Sequence, residues 1–114
     1  MSAHDYGQMD RQEKRCWRHP LYQKKNFHKI LSAAEPVGLR LELASKCRIT
    51  QNQKLKLINT ENSKGPVCHN EELLQMISCG GTAAFRDLRD SLAAILPVGH
   101  EGLLSDLQKV LDEV

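Results

Sequence analysis

The sequence predicts an all-α fold, a six-helix antiparallel bundle, and three observations lead there. Apolar residues make up 40 % of the 114 residues but aromatics only 4 %. A core must therefore rest mainly on aliphatic side chains, and β-branched and aromatic runs of strand type are scarce. Leucines recur at helical spacing in segment after segment. Short turns separate those segments, which favours antiparallel neighbours. The length suits one core.

Residues 1–18 hold few apolar side chains and read as an N-terminal extension, with 19–114 as the bundle. Asp10 and Glu13 have capping-box spacing, which fits a short helix from Asp10 to Arg18 docked through Cys16 and Trp17; a frayed terminus is the alternative. The first main helix starts near Pro20, since proline suits the first helical position. Leu21, Phe27, Ile30, Leu31 and Ala34 form its apolar stripe, and Pro36 should break or bend it. The second runs from about Val37 to Lys46, with Leu39, Leu43 and Ala44 inward and Leu41 packing at the edge. Its apolar–polar alternation also fits a strand, but no partner strand is visible.

Ile49 is expected in the core, and Thr50 as the N-cap of a third helix from Gln51 to about Asn59, with Leu55 and Ile58 inward. Residues 60–69, with Asn62, Ser63, Gly65 and Pro66, form the clearest loop signal. Asn70 should cap the fourth helix, with Leu73, Leu74 and Ile77 inward and Gly80 and Gly81 ending it. Thr82 should cap the fifth, which buries Ala84, Phe85, Leu88, Leu92 and Ile95. The sixth covers about His100 to Glu113, with Leu103, Leu104, Leu107 and Leu111 inward.

Charge is unevenly spread. Residues 1–57 carry twelve Lys and Arg against five Asp and Glu, and residues 58–114 carry four against nine. Such a bipolar chain can offer a basic face to an acidic neighbour. Lys24, Lys25 and Lys29, with Arg18 upstream, are the densest basic group. Nucleic acid is a poor fit, because the net charge is only +2 and aromatics for stacking are few. No apolar run approaches a membrane span, and the polar start does not read as a signal peptide, so a cytoplasmic or nuclear protein is expected.

The chemistry-bearing residues do not assemble into a catalytic pattern. Cys16, Cys47, Cys68 and Cys79 lack a catalytic context, and reduced thiols are expected. Cys16 and His19 have C-x-x-H spacing, but no second pair completes a metal site. Gly80-Gly81-Thr82 lacks the lysine of a phosphate loop. Glu71-Glu72 and Asp112-Glu113 are adjacent on helices and point apart. No catalytic residue, metal or cofactor is expected.

Four segments carry a family likeness: LYQKKNFHKILSAA, KCRITQNQKLKLIN, NEELLQMISCGGTAAFRDLRDSLAAI and GHEGLLSDL. Together they resemble a caspase-recruitment domain, a member of the death-fold superfamily, and are similar to initiator-caspase prodomains. The third segment is the most specific, with a Leu-Leu helix, a glycine turn, and then x-A-F-x-x-L-x-x-x-L. The related death and pyrin domains are the alternatives within the superfamily.

The resemblance implies a homotypic interaction module, not an enzyme, recruiting a caspase or platform protein into an apoptotic or innate-immune assembly. If the chain is a caspase prodomain, a catalytic domain follows residue 114. As a stand-alone domain it would act as adaptor or decoy. In the family, a basic surface on the first and fourth helices meets an acidic surface on the second and third helices of a neighbour. Such heterologous contacts propagate into helical assemblies. The basic side carries over to Lys24, Lys25 and Lys29, with Arg18. The acidic side is poorly matched: the second and third helices hold Arg40, Lys46, Lys54 and Lys56 against Glu42 alone. Asp87, Asp90 and Asp106 offer another acidic face. The expected partner is another caspase-recruitment domain with an acidic surface.

Overall fold

The computed structural model describes residues 15–113, and its regular elements there are all helical. Helix α1 (Arg15–Arg18) has four residues, too few to hold a helix unaided, so tertiary contacts fix it. Cys16 and Trp17 are buried in the same core as the main helices. The boundary expected after residue 18 thus falls inside the packed unit. Asp10 and Glu13 lie outside the described residues.

Helix α2 joins a π-helical stretch, Leu21–Asn26, to an α-helical one, Phe27–Ala33. Nothing in the sequence marks the wider turn. Tyr22 is buried while Leu21 and Phe27 are only partly so. Asn26 is fully buried, and its amide donates to the Leu21 carbonyl at 2.5 Å and to Asp106 Oδ2 at 3.1 Å.

The first run ends at Ala33, before Pro36 as expected, and Pro36 opens helix α3 (Pro36–Ser45). The Glu35 carboxylate caps it, accepting from the Val37 and Gly38 amides. At its end Cys47 takes a left-handed φ of 61°. The Cys47 amide donates to the Ala44 carbonyl and the Arg48 amide to that of Leu43, which is a Schellman closure. Leu39 and Leu43 are buried as expected, but Leu41 is half exposed and does not pack at the edge.

Helix α4 (Gln51–Lys64) starts with the expected Thr50 cap, a full capping box with Gln53. It then runs through most of the segment expected to be a loop. The Ser63 hydroxyl donates to the Asn59 carbonyl one turn back, and the Thr60 hydroxyl to Glu72 Oε2 at 2.6 Å, so these polar residues are satisfied without leaving the helix. The break is Gly65 alone, whose φ of 96° no ordinary side chain favours. Pro66 opens helix α5 (Pro66–Ile77) at the next position. Asn70 is therefore a fully buried residue inside α5 and not its cap.

A 3₁₀ turn, Ser78–Gly80, leads into helix α6 (Gly81–Ile95), which begins one residue before Thr82. A side chain at Gly80 would meet Ala84 Cβ at 2.7 Å, so the turn needs glycine there. Helix α7 (Glu101–Glu113) completes the described chain.

Helix α6 packs against α1, α3 and α7; α5 holds α4 and the α-helical part of α2; the π-helical part meets α7. At the centre Phe85 packs edge-on against Trp17 and Tyr22, with ring centroids 5.0 and 5.3 Å away. The expected inward residues of α5 and α6 are in this core, with Ile95 only partly covered. In α4 the inward leucine is Leu57, fully buried, whereas Leu55 is half exposed. Leu57→Ala is expected to lower unfolding free energy by about 2–5 kcal/mol. Leu55→Ala should stay within about 0.5 kcal/mol. Urea denaturation of the two variants distinguishes these outcomes.

Candidate interaction surface

The basic group of α1 and α2 divides in two. Arg18, Lys24 and Lys29 are exposed and make no ion pair among the described residues. Lys25 turns toward α7, where its ammonium lies 3.0 Å from Asp106 Oδ2. Asp106 is almost covered, with its side chain 10 % exposed, and so cannot serve as an open acidic face. Its carboxyl is held below the ordinary range, first by the hydrogen bond from Asn26 and then by Lys25. The π turn of α2 is what brings Asn26 and Lys25 to this carboxylate.

The other residues expected to bind a partner have internal work. Arg40 is buried; one guanidinium nitrogen lies 3.0 Å from Glu61 Oε1 and also 3.0 Å from His69 Nε2. Because Arg can only donate, Nε2 accepts, and His69 carries its proton on Nδ1. That proton goes to Asn70 Oδ1 at 2.9 Å. The Asn70 amide donates in turn to the carbonyls of Leu31 and Ala34, at 3.1 and 2.9 Å. Arg40 is thus one end of a polar chain through α3, α4, α5 and the end of α2, and not a surface residue.

Glu42 pairs with Lys46 one turn on, at 3.1 Å. Asp87 meets Arg48 Nε at 2.5 Å, joining α6 to the turn after α3. Asp90 is paired with Arg89 at 2.7 Å. Glu72 accepts from the Thr60 hydroxyl and pairs with Lys56, and its carboxyl is lowered chiefly by that hydroxyl. Glu113 pairs with His19. Glu71, exposed on α5, makes no ion pair among the described residues. Among the described residues most carboxylates are therefore occupied, while Arg18, Lys24 and Lys29 are not.

Cys16 is buried, whereas Cys47, Cys68 and Cys79 are exposed free thiols. Cys16 sits beside Thr82, while His19 turns to Glu113, so the C-x-x-H pair parts. Among the described residues no group of three His, Cys, Asp or Glu is placed to hold a metal, and no helix is long and apolar enough to cross a membrane. Sequence reasoning does not single out Lys109, although it lies close enough to Asp106 to help keep it ionised. The two are three positions apart on α7, so the i, i+3 spacing was the signal that could have found it.

Comparison with known proteins finds no matching family model, no matching curated protein and no matching solved structure.

Proposed function

We propose that this chain is a homotypic protein-interaction domain of the death-fold type, resembling a caspase-recruitment domain, which brings a caspase or platform protein into a signalling assembly. The observation that carries this reading is the imbalance of free charge. Arg18, Lys24 and Lys29 stand exposed without a carboxylate partner among the described residues, while Asp87, Asp90, Asp106 and Glu42 are each tied to a cation of their own chain. A partner bearing an acidic surface would complete what this chain lacks. Self-assembly through those aspartates would first have to break internal pairs. The helical order agrees with a death-fold bundle: six helices of seven residues or more follow α1 among the described residues.

Lys25 is a poor probe of this surface, since its reversal would strand the covered Asp106. Arg18→Glu combined with Lys24→Glu leaves every described ion pair intact. This double variant is expected to weaken binding to an acidic caspase-recruitment domain by about two orders of magnitude, with helicity unchanged. Titration calorimetry beside circular dichroism reads both. Binding equal to that of the unaltered chain would remove the surface from the proposal.

A further inference from the structure

Helices α2 and α7 enclose a cleft of about 480 Å³. Its walls include the ammonium-bearing side chains Lys25, Lys29 and Lys109, the imidazole of His100, and the Ser105 hydroxyl. Lys25 and Lys29 are one turn apart on α2, and Lys109 faces them from α7. The sole carboxylate among the lining residues is Asp106. Three ammonium groups against one carboxylate leave a surplus of two positive charges. Asp106 is already committed to Lys25 and Asn26. Lys29 and Lys109 make no ion pair among the described residues, and the Ser105 hydroxyl has no hydrogen-bond partner there.

Like charges are not gathered around a concave surface without electrostatic cost, and an anion in the cleft would remove that cost. We propose that this cleft binds a compact ligand carrying clustered phosphate groups. A single carboxylate would answer only half the surplus, whereas phosphate, at about −1.5 to −2 per monoester group, answers all of it, and clustered groups offer acceptor oxygens to lysines on both helices. The volume falls in the range of small-ligand sites. The Asp106–Asn26 contact ties α7 to the π turn of α2, the two elements that carry the lysines.

The chemistry is the same for a soluble polyphosphate and for a phosphorylated lipid headgroup. The wall also offers a clean way to close the site. Gly102 lies on it, has no strained φ, and an added Cβ there would meet nothing within 4 Å. Gly102→Glu would place a carboxylate at the opening while suiting the first turn of α7.

The proposal is independent of the death-fold reading, and its test uses the purified chain with no protein partner. Tripolyphosphate is titrated at physiological salt and followed by amide chemical shifts. The expected result is saturable binding with shifts at Lys29, Ser105 and Lys109. Lys29→Gln and Lys109→Gln should each weaken it about tenfold. Gly102→Glu should abolish it at unchanged melting temperature, and Lys64→Gln on α4 should leave it unaltered. Co-sedimentation with phosphatidylcholine vesicles doped with phosphatidylinositol bisphosphate separates the sources: capture assigns a headgroup, and tripolyphosphate binding without capture assigns a soluble ligand. Absence of binding to both probes overturns the proposal. So does binding that Gly102→Glu and the two lysine variants leave intact.

Discussion

Trp17→Ala is expected to lower the unfolding free energy by about 3–5 kcal/mol, the range for losing a large buried aromatic side chain. The residue lies outside the six main helices, yet it is 6 % exposed and its ring packs edge-on against both Tyr22 and Phe85. Its indole N–H donates to the Gly81 carbonyl at 2.9 Å, at the start of α6. Removing the ring leaves a cavity beside Phe85 and frees a four-residue helix that has no stability of its own. Trp17→Phe separates the contributions. It retains most of the packing and loses the hydrogen bond, so its cost should be smaller, about 1–3 kcal/mol. Urea denaturation measures both, and a loss below 1 kcal/mol for Trp17→Ala would mean that α1 is not part of the folded unit.

The second large effect is expected at Asn70. Its side chain is fully buried and serves three partners: the carbonyls of Leu31 and Ala34, and the Nδ1 proton of His69. The two carbonyls end α2, and so Asn70 closes that helix from another element. Asn70→Ala strands all three groups away from water at about 1–3 kcal/mol each, not fully additive, for a total of about 3 kcal/mol or more. Asn70→Asp keeps two oxygens that can accept from His69 but cannot donate to the carbonyls, and should be no milder. A hydrogen-exchange map of Asn70→Ala should show protection lost first at the end of α2 and the start of α3.

What could be read in the sequence follows the physics of each signal. The stripes of α5 and α6 are regular leucine and alanine repeats, so their buried faces were legible. Gly65 and Pro66 do mark a boundary, but they mark a one-residue break, and the polar residues before it invited a longer loop. Ser63 satisfies its hydroxyl on the preceding turn and Thr60 on Glu72 of the next helix, choices that composition does not reveal. Asn70 follows Cys68 and His69 and precedes two glutamates, which imitates a cap. Its true role depends on carbonyls about forty positions away, which no local pattern encodes.

The candidate surface was legible to the same degree. The basic cluster on α2 stands out in the sequence, and Lys24 and Lys29 are indeed exposed. Which of its members are free depends on distant carboxylates. Lys25 is engaged because Asp106 comes back to it from α7, and Arg40 is drawn inward because Glu61 and His69 wait there. The expected acidic face is partly engaged for the same reason, as Asp87 and Asp90 each meet an arginine of their own chain, with the Asp90 side chain still 44 % exposed. Charge counts alone do not distinguish an open face from an occupied one.

The central proposal is that the cations of α1 and α2 that meet no carboxylate among the described residues recognise an acidic caspase-recruitment domain. A charge-swap titration tests it most directly. The Arg18→Glu, Lys24→Glu chain is titrated against an acidic caspase-recruitment domain, and then against the same domain with its acidic contact residues changed to lysine. The account predicts binding by the original pair that weakens with salt, loss in the single-sided variant, and recovery in the swapped pair. Failure of the original pair to bind, or binding indifferent to both charge changes, would contradict it.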